Sequence, residues 1–219
     1  MSVPVIAIDG PSASGKGTIA SRVARQLGFH YLESGALYRV LALISLREDA
    51  SDEARLAALA GRMDVAFQDG EVLLEDEDVS DKIRAEPCGV RASEVARLPA
   101  VRQALLERQR AFRRAPGLVA DGRDMGSNVF PDAALKVFLT ADVATRAERR
   151  YKQLKEKGMY AKMQDVVEEL GRRDARDASR PVAPLRHYPD AFFLDTSTLS
   201  VDEAVGQVLG WWRERSSRP

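Results

Sequence analysis

The chain has little of what metal cages and disulfide cross-links require. It holds one cysteine, Cys88, and two histidines, His30 and His187, in 219 residues. A single thiol closes no internal disulfide, and two histidines beside it make no plausible zinc set. Cys88 reads as a small, half-buried and inert side chain. No apolar run approaches membrane-spanning length, and the first residues lack the basic-then-apolar pattern of a secretion signal. A reducing, cytoplasmic setting is the expectation. Net charge is missing as well: 33 Lys and Arg balance 33 Asp and Glu. A nucleic-acid binder would normally carry a basic excess or a basic face, so that class is disfavoured. There is no internal repeat and no low-complexity tract, and the length suits one compact domain with excursions.

What is present is an alternation. Apolar runs at Val3 to Ile8, Phe29 to Leu32, Leu118 to Ala120, Lys136 to Leu139 and Phe192 to Leu194 read as buried strands. Helical patterns lie between and after them. Leu37, Val40, Leu41 and Ile44 share one face, as do Val101, Leu105, Leu106 and Gln109 to Phe112. Val166, Val167 and Leu170 form a third set, and Val201 to Trp212 closes the chain with two tryptophans expected to pack onto the core. Strands alternating with helices predict an α/β fold, a five-stranded parallel sheet covered on both faces in three layers. One stretch departs from this. Val65 and Phe67, then Asp69-Gly70, then Val72 and Leu74 predict an antiparallel hairpin inside a small insertion.

In a parallel sheet, ligands sit beyond the C-terminal strand ends. The first strand runs straight into Gly10, Pro11, Ser12, Ala13, Ser14, Gly15, Lys16, Gly17 and Thr18, and a helical pattern follows. Strand, glycine-rich turn, lysine and helix together make a phosphate loop: backbone N–H groups curl around an anion, Lys16 adds a compact charge, and the helix dipole points at the same place. The general motif has Ser or Thr directly after the lysine, as a ligand for Mg²⁺. Here that position is Gly17, and the hydroxyl comes at Thr18. The metal is therefore expected to lean on phosphate oxygens and water.

Other polar groups also follow strand ends. Asp121 suits a carboxylate that holds Mg²⁺, directly or through a water, and Arg123 and Asp124 project a cation and an anion after the tight turn at Gly122. Ser34 could cap the helix that carries Leu37, while Arg39 faces away from its apolar stripe. Arg173, Arg176, Asp177 and Arg180 recur at three- and four-residue spacing, so one helix face carries guanidinium groups and a carboxylate. Guanidinium forks match phosphate oxygens at two points, which makes the cluster a candidate clamp on a transferring phosphoryl group. Lys152 to Lys162, broken by Gly158, reads as the tip of a helical hairpin and a lid. These residues leave open a kinase for another small acceptor, a nucleotide-dependent switch, and an oligonucleotide binder using Arg172 to Arg180.

Taken together, the segments Asp9 to Thr18, Glu33 to Arg39, Asp121 to Gly126, Arg173 to Leu185 and Leu194 to Thr196 resemble the bacterial cytidylate kinases, a branch of the nucleoside monophosphate kinases. Ser-Gly-Ala-Leu-Tyr-Arg and Asp-Gly-Arg-Asp-Met-Gly are far more specific than the phosphate loop. The resemblance covers essentially the whole chain. It implies a P-loop kinase fold with an antiparallel β insertion in the nucleotide-binding domain and a short helical lid. The expected division is a core of 1–50, 100–150 and 181–219, an insertion of 51–99 and a lid of 151–180.

The same resemblance implies transfer of the γ-phosphoryl group of ATP to CMP or dCMP, with Mg²⁺, in pyrimidine nucleotide metabolism. No membrane or nucleic-acid partner is implied, and a monomer is expected. Gly10 to Thr18 would take the donor, and Thr18 and Asp121 the metal. Ser34, Ser93, Arg102 and Asp124 would meet the cytosine ring. Arg39, Arg123 and Arg180 would hold the CMP phosphate, and Arg173 and Asp177 the sugar hydroxyls. Arg176 would meet the ATP phosphates, so Lys16, Arg123, Arg176 and Arg180 form the catalytic set. Ala13-Ser14 departs from the Gly-Ala frequent in that family, with little effect expected.

Overall fold

The computed structural model describes residues 3–68, 71–156, 158–180 and 182–217. In chain order the elements are β1 (Val5–Asp9), α1 (Lys16–Leu27), β2 (His30–Glu33), α2 (Ser34–Arg47), α3 (Glu53–Arg62), β3 (Val65–Gln68), β4 (Glu71–Leu74), β5 (Glu77–Asp78), α4 (Glu86–Val95), α5 (Pro99–Arg110), β6 (Leu118–Gly122), β7 (Leu135–Thr140), α6 (Val143–Glu156), α7 (Met163–Ala178), β8 (Phe192–Asp195) and α8 (Val201–Ser216). The chain divides into two compact units, one of residues 1–32 and 113–219, the other of residues 33–112.

The first unit is built on the expected five-stranded parallel sheet, in the order β2-β6-β1-β7-β8. β1 lies at its centre, Ile8 opposite Asp121 on β6 and opposite Val137 on β7. Val5 to Ile8 are fully buried, which is why the strand is a continuous apolar run rather than an alternation. Ile6, Ile8, Val119, Val137, Leu139 and Leu194 pack against Ile19 and Val23 of α1 and Val205, Val208 and Leu209 of α8. The two tryptophans do join this core. Trp212 meets Phe29 edge-on at 5.6 Å, and Trp211 stacks on Phe192 at 4.7 Å. Among the described residues no helix is long and apolar enough to cross a membrane.

α6 and α7 form the expected helical hairpin. Ala147 and Leu154 on α6 pack with Val166 and Leu170 on α7. Val167, expected on the same face, is 37% exposed and turns outward. α6 stops by a glycine device: Gly158 is left-handed, its N–H bonds to the Lys155 carbonyl, and the Met159 N–H reaches back to Leu154. Met159 then packs into the Leu154 cluster, which completes a Schellman stop.

The second unit holds α2 to α5 and an antiparallel sheet in the order β3-β4-β5. Val65 pairs with Leu74, and Phe67 with Val72, in the register that the alternation predicts. The Asp69-Gly70 turn itself lies outside the described residues. Val72 and Leu74 are buried, and Phe67 is closed edge-on by Phe112. β5 adds a strand that the sequence reading lacked. Its turn uses Glu75 and Asp76, both with positive φ, where hairpins of this kind usually carry Asn-Gly. Residues 51–99, read from the sequence as an insertion, fall inside this unit together with α2 and α5.

Candidate functional site

The phosphate loop leaves β1 and closes on α1, whose first residue is Lys16. The backbone is left-handed at Ala13 (φ 59°) and at Gly15 (φ 91°), the kind of conformation from which anion-binding nests are built. Gly15 is required there, since a side chain at that φ is strained. The loop's carbonyls are tied down by donors. Lys16 Nζ and Ser14 Oγ donate to Pro11 O at 3.1 and 3.0 Å. Arg146 Nη1 donates to Ser12 O at 3.2 Å, and Arg149 Nη1 to Ser14 O at 3.1 Å. The Thr196 hydroxyl, beyond β8, also donates to Ser14 O at 3.1 Å.

Arg146 and Arg149 were not singled out from the sequence. They sit three apart on α6, and charged side chains mostly face water. Arg146 is instead buried, and its guanidinium also donates to the Ala141 carbonyl and pairs with Asp174 of α7 at 2.7 Å. The spacing was visible, but only the packing of α6 beside the loop turns it into a support for the loop.

β6 delivers the second group. Asp121 is buried at the strand end, and the Tyr31 hydroxyl of β2 donates to its Oδ2 at 2.8 Å. A Cβ at Gly17 would lie 3.2 Å from that oxygen and 3.5 Å from the tyrosine hydroxyl. A side chain after Lys16 would therefore press on the Asp121 carboxylate, which would have to give by a few tenths of an ångström. Thr18, one residue on, is exposed at the first turn of α1. Among the described residues no three His, Cys, Asp or Glu side chains cluster as a metal cage. A carboxylate beside a phosphate loop suits Mg²⁺, which keeps several waters and takes phosphate oxygens as ligands.

Beyond β6, Arg123 spans the loop and α7. Its Nη2 donates to Ser12 Oγ at 2.8 Å, and its Nε pairs with Asp177 Oδ2 at 2.7 Å. Asp177 Oδ1 also takes Arg180 Nη2 in a short contact. Burial pushes the Asp177 carboxyl up, but Arg123, Arg180 and Arg173 outweigh it and hold the group below the usual carboxylate range. Arg173 lies next to this cluster, with its Nη1 3.5 Å from Glu169 one turn back. Arg176 is not drawn in: its Nε donates to the Arg172 carbonyl of its own helix.

Asp124 is buried, and Asn128 Nδ2 donates to its Oδ2 at 3.2 Å. The chain then makes one turn of π-helix over Met125–Val129. Asp9, at the end of β1, receives the Met125 and Gly126 N–H groups. Desolvation raises the Asp9 carboxyl to about 7, with the nearby Asp124 adding to the rise, while the two amides and Arg123 oppose it.

The remaining expected residues belong to the second unit. Ser34 does not cap α2: β2 runs into the helix without a loop, so Glu33 holds the extended cap position and Ser34 is already the first helical residue. Arg39 Nη1 donates to the Ile83 carbonyl at 2.8 Å and passes close to Gly89 of α4. Ser93 Oγ donates to Gly89 O at 3.2 Å, and Arg102 Nη1 to Ala96 O at 3.3 Å; both residues are buried. Cys88 donates its thiol to the Arg39 carbonyl, and burial raises its pKa, so it is kept as an inert thiol.

Known proteins match this arrangement over its whole length. The chain is 58% identical over 219 residues to a cytidylate kinase of Chromobacterium violaceum, covering 99% of each. It is 58% identical over 212 residues to one of Paraburkholderia phymatum, covering 96% of this chain and 93% of that one. Among solved structures, a gluconokinase from Sinorhizobium meliloti superposes with a TM-score of 0.50 at 16% identity, over 98% of this chain and 94% of that one, a likeness of fold alone. The family model described as cytidylate kinase matches residues 6–214. The chain belongs to the cytidylate kinase family.

Proposed function

We propose that the protein transfers the γ-phosphoryl group of ATP to CMP or dCMP, giving ADP and CDP or dCDP. The observation that carries this reading is Arg123. One guanidinium touches the phosphate loop at Ser12 and the arginine-bearing helix at Asp177. A cation so held faces the donor loop and the proposed acceptor groups at once.

The chemistry needs no general base. The acceptor phosphate oxygen is already a nucleophile; it bonds to the γ-phosphorus as the bond from that phosphorus to the ADP oxygen breaks. Two polyanions must be brought together, so catalysis is positioning and charge neutralisation by Lys16, Arg123, Arg176 and Arg180. In this reading Gly10 to Thr18 take the ATP phosphates, and Arg123, Arg180 and Arg39 take the CMP phosphate. Arg173 and Asp177 meet the sugar, and Ser34, Ser93, Arg102 and Asp124 meet the base. Thr18 and Asp121 would hold Mg²⁺, Asp121 directly or through water. When bound, the ion neutralises charge on the transferring phosphates.

Base choice has a physical account. Cytosine offers a 4-amino donor to the Asp124 carboxylate, whereas uracil would set an oxygen against it. A buried carboxylate facing an acceptor is costly, so UMP is a poor substrate. ADP release, measured with ATP and each nucleoside monophosphate in turn, tests the proposal. Rapid release with CMP and dCMP and slow release with UMP and AMP is expected. Equal rates for all acceptors, or release that ignores the acceptor, would overturn it.

A further inference from the structure

Asp9 ends β1 directly before the phosphate loop, yet its carboxylate serves a different loop. Oδ1 accepts the Met125 N–H at 2.8 Å, and Oδ2 accepts the Gly126 N–H at 2.9 Å. These are the opening amides of the π-turn, the donors that a helical segment leaves without partners inside itself. Three further amides of the segment are met locally. Asn128 N–H and Val129 N–H donate to the Asp124 carbonyl at 2.9 and 3.1 Å, and Phe130 N–H donates to Met125 O at 2.7 Å.

Asp124 therefore stands at the hinge of a turn fixed from two sides. Its carbonyl takes two amides of the turn, and its carboxylate takes the Asn128 side chain. The residues after it are fastened to the central strand by Asp9. Gly126 packs on the sheet: a Cβ there would lie 3.2 Å from the Lys136 side chain and 3.4 Å from the Ala7 Cβ. The backbone at Asp124 (φ −148°, ψ 25°) belongs to no regular element. The bonds on either side fix the backbone from which its carboxylate projects.

We propose that Asp9 is a positioning residue for Asp124: by taking both opening amides of the π-turn, it sets the direction of the Asp124 carboxylate and thereby the affinity and choice of pyrimidine monophosphate. This rests on the reading that Asp124 meets the base. Asn at position 9 keeps one acceptor but turns an NH₂ toward the second amide, and Ser keeps a single, shorter acceptor.

Steady-state kinetics of Asp9→Asn and Asp9→Ser, with Asp124→Ala alongside, test the assignment. The expected result is a rise in CMP KM on the order of tenfold and a lower CMP-over-UMP ratio, while ATP KM stays near wild type. An unchanged CMP KM and ratio in both variants would overturn it. An ATP KM that rises as much as that for CMP, or failure of both variants to fold, also overturns it, because Asp9 then serves the phosphate loop or the fold. If Asp124→Ala keeps full CMP preference, the base reading itself falls. If Asp124→Ala loses that preference and the Asp9 variants keep it, only the role of Asp9 falls.

Discussion

Asp177 on α7 holds Arg123 from the loop after β6, Nε to Oδ2 at 2.7 Å, with side chains only 5% and 18% exposed. The same carboxylate pairs with Arg180, so one anion organises two of the cations assigned to the acceptor phosphate. Withdrawal from water makes the arrangement asymmetric. Removing the shared anion takes a carboxylate from two guanidinium groups at once, whereas removing one guanidinium leaves the anion with a partner.

Asp177→Ala should accordingly destabilise the fold by about 3 kcal/mol, in the range for breaking a buried ion pair. Arg123→Ala should cost distinctly less stability but lower kcat/KM for CMP by about tenfold to a hundredfold, the worth of one charged hydrogen bond. Urea unfolding and steady-state kinetics on both variants check this. Equal stability losses, or wild-type turnover in Arg123→Ala, would contradict it.

Asp124→Ala removes the acceptor for the cytosine amino group. CMP turnover should fall while UMP turnover stays level or rises, so that the CMP-over-UMP ratio drops by about a hundredfold or more. Competition between the two acceptors in one reaction reads the ratio directly. A ratio left at its wild-type value would remove Asp124 from base recognition.

Stability should depend on pH through Asp9 and Asp177 with opposite signs. The Asp9 carboxyl is raised from 3.8 to about 7, so between those values the folded state keeps a proton that the unfolded chain has released. Its contribution is greatest below pH 3.8, declines as pH rises and is fully lost above 7, by at most about 4 kcal/mol. Asp124 and Arg123 act on this carboxyl, and Lys136, Arg186 and Tyr188 line the cavity beside it. The Asp177 carboxyl is lowered, so its contribution holds at neutral pH and is lost as pH falls below 3.8. Thermal unfolding of wild type and Asp9→Asn should show the wild-type advantage shrinking from pH 4.5 to 7.5. A difference independent of pH would contradict the raised Asp9 value.

Gly17→Ala places a methyl group 3.2 Å from Asp121 Oδ2. The carboxylate or the loop must then shift, and kcat/KM for ATP should fall on the order of tenfold or more. Stability should change far less, since α1 accepts alanine well. Retention of full activity would show that Asp121 has no fixed place beside the loop.

Much of this was legible in the sequence because it rests on local pattern. Buried strands announce themselves as apolar runs, and the phosphate loop announces itself by glycines between a strand and a helix. Phe67 and Val72 mark the hairpin by alternation. β5 left no such trace: it is two acidic residues entered by a Glu-Asp turn. Arg146 and Arg149 were hidden for a different reason. Their spacing is that of any charged helix, and only tertiary packing sets them against the Ser12 and Ser14 carbonyls. Asp9 leads the phosphate-loop segment in the sequence, but its bonds to residues more than a hundred positions away are a property of the tertiary fold. Ala13 is a smaller case. Its change from the family's usual glycine sits at a left-handed residue, which composition cannot reveal.

The most direct measurement follows the phosphoryl group itself. ATP labelled at the γ-phosphate is incubated with the protein, Mg²⁺ and CMP, and the label is located by separating the products. Label in CDP, in step with ADP formed and absent when CMP is omitted, is the predicted result. Label released as inorganic phosphate at the same rate with or without CMP would contradict a phosphotransferase and indicate a nucleotide hydrolase or switch.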